Sequence, residues 1–349
     1  MKDSPDMAAT FRSWADTVES NSPLYGRLAR WAAADSRCMA LAAGTPRGQL
    51  APNLLLAAVH DLLLSGVEAP LARYYPSLTP GRRGEAATEP GDPAVFLDFC
   101  ASHEDALRQI IATRTVQTNE IQRLAVLLPA FMMLDMQYAD EPVHYVEVGA
   151  SAGFNLLWPW CGFSYGDGRI IGHAQSPVHL NCELRGGHMP VIAPRLPEAA
   201  SRVGLDLNPV DIDDANQVRW LKALVWPDQP ERMARLDGAL ALARRRRPEV
   251  RRGNALDLLP AHLAGLPDGA PACIFHSIAI YQMSLADRQY LSSILQTYSQ
   301  DRPIYRVGLE HISSRQPLLE LHVYADGERK AQALAYADFH GAWMEWQGG

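Results

Sequence analysis

The chain has 349 residues, 48% hydrophobic and 20% charged, with a formal net charge of −7. That length and composition suit a globular protein with a sizeable core in one large domain or two, and the negative balance offers no general attraction to nucleic acid or anionic membranes. Five scattered cysteines with no C-x-x-C pair argue against zinc or dithiol chemistry. The start, MKDSPDMAATFRSW, has no basic-then-apolar leader and no run of about 18 apolar residues occurs, so a soluble cytoplasmic protein with reduced thiols is expected.

Residues 1–140 read as a helical cap, because apolar residues recur at helical spacing and need no strand. Ser22 before Pro23 and Asp92 before Pro93 are N-cap and first-turn pairs, and Gly66 closes LLLAAVHDLLLSG. Residues 79–92, TPGRRGEAATEPGD, read as an exposed loop. The polar run RTVQTNE at 114–120 lies between two apolar stretches. It is either a lid that brings Arg114, Gln117, Asn119 and Glu120 to a substrate pocket or a solvated turn capped by Thr118.

From Val143 strands alternate with helices: VHYVEV, then RVGLDL at 202–207, PEVRRG at 248–253, PACIFHS at 271–277 and PIYRVGLE at 303–310. This predicts an α/β domain over 141–349 built on a doubly wound, mostly parallel sheet. Asp326-Gly327 between two strand-like runs predicts a C-terminal antiparallel β-hairpin. Segment 158–201 is read as an inserted small β element near the pocket mouth. Within it Val178, Leu180, Cys182 and Leu184 alternate with His179, Asn181, Glu183 and Arg185, which adds Glu183 to the substrate set.

The densest chemical signal is VHYVEVGASAGFNLL, read as strand, tight turn and helix, with Glu147, Gly149, Ser151 and Gly153 in sequence. Such a turn directs backbone N–H groups and a helix N-terminus into one crevice. A dinucleotide fits poorly: the glycine spacing is not G-x-G-x-x-G, and Glu147 would face a diphosphate. Gly149 to Gly153 also spells the G-x-S-x-G elbow of an α/β-hydrolase, with Asp257 or Glu310 and His311 or His340 formally available, although no HGGG-type loop precedes it. S-adenosylmethionine suits an acid at this strand end, since its sulfonium and ammonium are cationic, and its ribose diol suits Asp206 at the end of the next strand.

The crevice outside the carboxyl strand ends nominates His276 and Tyr281 after the fourth parallel strand, and Glu310 and His311 after the fifth, as catalytic candidates. A structural role for each histidine stands beside that reading. His173, His179, Glu183 and His188, and Asp211, Asp213 and Asp214, lack metal-ligand spacing, so no metal is expected. Arg244, Arg245, Arg246 and Arg247, with Arg251 and Arg252, read as a solvated helix C-terminus in preference to a nucleic-acid contact.

VEVGASAG, VGLDLNP, RRGNALDLLP, ACIFHS and the terminal hairpin together resemble the successive motifs of class I S-adenosylmethionine-dependent methyltransferases, over about 143–337. The resemblance implies a Rossmann-like fold, a small-molecule methyl acceptor, and cofactor contacts from Glu147, Gly149, Ser151, Gly153, Asp206, Asn254 and Ala255. Ser151 stands where such loops usually have glycine, and Asn254 where they usually have aspartate. EVGASAGFNLL, SPVHLNCELRGG, VGLDLNPVD, LKALVWPDQ and GNALDLLP are similar, across nearly the whole chain, to a bacterial family known only as domain of unknown function 2332, which implies no activity. A serine hydrolase using Ser151 and a non-catalytic ligand-binding protein of the same fold are the alternatives. Oligomeric state and substrate identity are not specified by the sequence.

Overall fold

The computed structural model describes residues 6–78, 91–138, 141–312, 314–325 and 327–347. The predicted loop at 79–92 therefore falls, apart from its last two residues, outside the described residues, as does Asp326 of the hairpin turn. The chain forms two compact units, Met1–Thr118 with Asp213–Ala234, and Asn119–Ile212 with Arg235–Gly349.

The first unit contains α1 (Met7–Val18), α2 (Pro23–Ala34), α3 (Ser36–Ala42), α4 (Ala51–Leu64), α5 (Ala94–Ser102) and α6 (Glu104–Thr113). Since α7 (Leu124–Gln137) belongs to the second unit, the helix Ala215–Ala223 is α8. The local signals act as their chemistry dictates: Ser22 Oγ accepts the Tyr25 amide at 3.2 Å with Pro23 in the first turn, and Gly66 is left-handed at φ +96°. Helix α4 is apolar nearly all round and sits in the core with Leu28, Phe96 and Trp220. It carries His60 and Asp61 inward. His60 Nδ1 is 3.1 Å from the Ala223 carbonyl and Nε2 is 2.8 Å from Ser77 Oγ, while Asp61 pairs with Arg219 at 2.9 Å. Burial pushes the His60 pKa down to about 4, so the ring is neutral at physiological pH.

The second unit is built on β1 (Val143–Val148), β2 (Gly162–Ser164), β3 (Ile171–Gly172), β4 (His179–Asn181), β5 (Glu183–Arg185), β6 (Ala199–Asp206), β7 (Val250–Arg252), β8 (Ala272–Ser277), β9 (Ile304–Glu310), β10 (Leu318–Ala325), β11 (Glu328–Ala337) and β12 (Trp343–Trp346). Nine of them form one sheet in the order β5-β12-β11-β10-β9-β8-β1-β6-β7. The block β9-β8-β1-β6-β7 is parallel throughout, with α9 (Pro230–Arg246), α10 (Ala255–Ala264) and α11 (Leu285–Tyr298) in its connections. The order reverses between β1 and β8, which is where a doubly wound sheet opens a crevice at its carboxyl ends. Strands β10 and β11 form the expected antiparallel hairpin.

The insertion splits in two. β2, β3 and β4 make a small sheet of their own, whereas β5 joins the main sheet by pairing with β12, a strand the sequence reading did not anticipate. Alternation along the strands sorts the two faces. Val146, Val148, Ala272 and Ile274 pack with Leu256 and Leu259 of α10 and Leu291 and Ile294 of α11. Tyr145 and Phe275 face the other way, with ring centroids 5.0 and 5.2 Å from Phe131 of α7. All five cysteines are free and buried. Among the described residues no helix is long and apolar enough to cross a membrane.

Candidate functional site

The turn after β1 holds three residues in the left-handed region, Gly149 at φ +77°, Ser151 at +52° and Gly153 at +73°. Glycine is required twice for packing as well as conformation: a Cβ on Gly149 would lie 2.7 Å from that of Ala279, and one on Gly153 2.8 Å from Pro248. Ser151 has no such freedom and is strained. Asp206, at the end of β6, holds it there, with Oδ2 accepting the Ser151 amide at 2.8 Å and Oδ1 the Asn208 amide at 2.7 Å.

The expected α-helix after the turn is not formed. Phe154–Trp160 is a 3-10 helix of seven residues with Pro159 inside it. Proline removes an amide donor and disfavours a helical residue before it, which weakens α-helix at this point without forbidding it, since α7 and α10 hold Pro129 and Pro260 internally. Its first amide is taken by Asn119 Oδ1 at 3.1 Å. The helix-dipole anion site anticipated at this turn is therefore absent.

Glu147 lies on the α7 side of the sheet and is buried. Its Oε1 accepts from Asn155 Nδ2 at 2.7 Å, and the same amide reaches Ser277 Oγ at 3.4 Å. Burial pushes the Glu147 carboxyl up to about 8; the Asn155 bond opposes this, Asp206 adds to it, and Arg123 draws it back least of all. Arg123 ends the 3-10 helix Ile121–Arg123 and donates to the Phe339 carbonyl at 2.9 Å and the Ser277 carbonyl at 3.3 Å. Around this acid, Glu147 Oε2, Asn155 Oδ1 and Ser151 Oγ are buried with no hydrogen-bond partner in the protein. The last of these also means that no histidine touches the Ser151 hydroxyl.

His276 and Glu310 belong elsewhere. Glu147 is in register with Phe275, so alternation turns His276 to the α10 and α11 face. There Glu310 Oε1 accepts from His276 Nδ1 at 2.8 Å, the Ala279 amide at 2.9 Å and the Ile280 amide at 3.1 Å. Burial pushes the His276 pKa down in spite of Glu310. Burial pushes Glu310 up, but its three donors outweigh that and hold it below the usual carboxylate range. The pair is thus a neutral imidazole donating to a carboxylate. It braces a loop in which Ile278, a β-branched residue, is strained at φ +49°, and Gly308, opposite His276 in register, leaves the space its ring needs.

Tyr281 and His311 share the mouth of the β8 and β9 loops, their rings 4.8 Å apart, with Phe339 5.2 Å beyond His311. Asn254 Oδ1 caps α10 by accepting the Leu256 amide at 3.1 Å, and Ala255 opens that helix. Glu120 is buried and lies 4.0 Å from Arg235 Nε. Arg114 and Gln117 lie in the first unit, where the Arg114 guanidinium is 5.7 Å from the Trp220 ring. Glu183 is exposed on β5 and paired with Arg185 at 2.7 Å. No group of three or more potential metal ligands occurs among the described residues, and Asp214 caps α8 instead. Arg123, Asn155 and Ser277 were not singled out in the sequence. The available signal was Arg123, a lone cation entering a long apolar helix.

A family model described as an uncharacterized protein conserved in bacteria (DUF2332) matches residues 8–346, and the chain belongs to that family. No curated protein matches the chain, and no solved structure does.

Proposed function

We propose that this protein binds S-adenosylmethionine at the β1 turn and methylates a small molecule. One observation carries the reading: of the buried polar atoms left unpartnered near the turn, Glu147 Oε2, Asn155 Oδ1 and Ser151 Oγ can accept hydrogen bonds, beside the lone donor Trp158 Nε1. Asn155 Oδ1 lacks a donor, Ser151 Oγ can accept, and Glu147 Oε2 becomes an acceptor once its carboxyl gives up the proton it holds near neutral pH. Burying such groups unpaired costs about 1–3 kcal/mol each, and a ligand that brings N–H donors and positive charge relieves it. A diphosphate would deepen it.

The residues fit that cofactor by chemistry. Glu147 and Asn155 would hold its ammonium, and Asp206, at the neighbouring strand end, would take the ribose diol. When bound, the cofactor supplies a methyl group on a positively charged sulfur. Glu147, largely protonated near neutral pH, releases its proton to the solvent as a cation arrives. Arg123 keeps the β8 end in place through the Ser277 carbonyl. We assign removal of the acceptor's proton to His311, whose Nδ1 is unpartnered beside Tyr281.

Isothermal titration with S-adenosylmethionine and S-adenosylhomocysteine tests the reading. Saturable heat is expected, weakened at least about tenfold in E147Q. No heat at millimolar ligand overturns it.

A further inference from the structure

The arginines at the end of α9 do not share one role. Arg244 donates to the Ile212 carbonyl at 3.3 Å, and Arg251 pairs with Glu249 at 2.7 Å. Arg245 and Arg246 instead line a surface cavity of about 230 Å³, together with Trp160 and with His173, Gln175 and Ser176 of the insertion. No residue lining it is acidic. The Arg246 guanidinium lies 5.0 Å from the centre of the Trp160 ring, and that of Arg202 lies 4.7 Å from it. No ion pair satisfies Arg202, Arg245 or Arg246 among the described residues, and burial alone pushes Arg202 down from its usual pKa. Gly238 closes the wall: a Cβ there would lie 2.4 Å from the Pro177 carbonyl oxygen, so glycine lets α9 press against the segment carrying Ser176.

We propose that this cavity binds the phosphate group of a small phosphomonoester. Guanidinium forks match phosphate oxygens in pairs, and stacking on an indole orients Arg246 before the ligand arrives, which lowers the entropy lost on binding. Two unpaired cations balance a dianion, and the imidazole, amide and hydroxyl opposite can satisfy further oxygens. The volume is below the roughly 300–1,000 Å³ of pockets for drug-sized ligands, which points to a small organic body. This site is separate from the β1 turn. Arg202 precedes Asp206 by four residues on β6, about 13 Å along the strand.

Titration calorimetry of the full chain with glycerol 3-phosphate at fixed ionic strength tests the assignment. Saturable binding is expected, weakened at least about tenfold in R245A and in R246A and unchanged in R244A. R246K should recover only part of it, because an ammonium lacks the fork. Thermal melts confirm that each variant is folded, and R245A decides alone if R246A is not. Absence of saturation at millimolar ligand, equal affinity for acetate, or tighter arginine-dependent binding of a single-stranded oligothymidylate would each overturn the proposal. None of these outcomes depends on S-adenosylmethionine binding.

Discussion

Glu310 Oε1 lies 2.8 Å from His276 Nδ1 and gathers two backbone amides on the same oxygen, while Glu147, across the sheet, has one amide donor on one oxygen. Two buried glutamates at the ends of β1 and β9, with β8 between those strands, therefore hold different charge states at neutral pH. Donor count decides it, since both are desolvated.

Replacing Glu310 removes the charge that holds the Ile278 loop. E310Q should destabilise the protein by about 2–4 kcal/mol, because three buried donors lose an ionised acceptor. Urea denaturation of the two proteins at pH 7 measures it; a loss below about 0.5 kcal/mol would remove the brace from the account.

Glu147 should act in the opposite direction. Its folded pKa of about 8 lies above the ordinary carboxyl value, so the unfolded chain loses the proton first as pH rises. Stability contributed at low pH is then lost between about 4.5 and about 8, by a few kcal/mol. E147Q abolishes that slope and should be more stable than wild type at pH 8 in the ligand-free state. Denaturation midpoints across this range give the answer.

His60 predicts a loss on acidification. Its folded pKa of about 4 is below the ordinary imidazole value, so the unfolded chain takes up a proton first as pH falls. The first unit should weaken by about 3 kcal/mol between about pH 6.5 and about pH 4. Hydrogen exchange of the α4 amides reports this unit by itself, and H60Q should show a flatter dependence.

Ser151 should be inert to a fluorophosphonate, because no base touches its hydroxyl. Intact mass after exposure settles this; a stoichiometric adduct lost in S151A would revive the hydrolase reading. G149A should be poorly folded, since a Cβ both meets Ala279 and strains the turn.

Much of the architecture was written locally. The Ser22 cap needs only Tyr25, three residues on. The apolar runs of β1, β8 and β9 declare strands buried on both faces, and the hairpin follows from turn chemistry between β10 and β11. What failed locally was the α-helix after Gly153, where Phe154–Trp160 forms a 3-10 helix with Pro159 inside it.

The site divided along a different line. Glu147, Ser151 and Asp206 could be named because they end a strand or interrupt a glycine turn, features visible within a few residues. Only the tertiary structure decided that His276 and Glu310 lie across the sheet from Glu147, that β5 reaches β12, and that Arg123 meets Ser277. Those facts depend on register and packing between segments far apart in sequence, and so do the burial and donor counts that set each charge state.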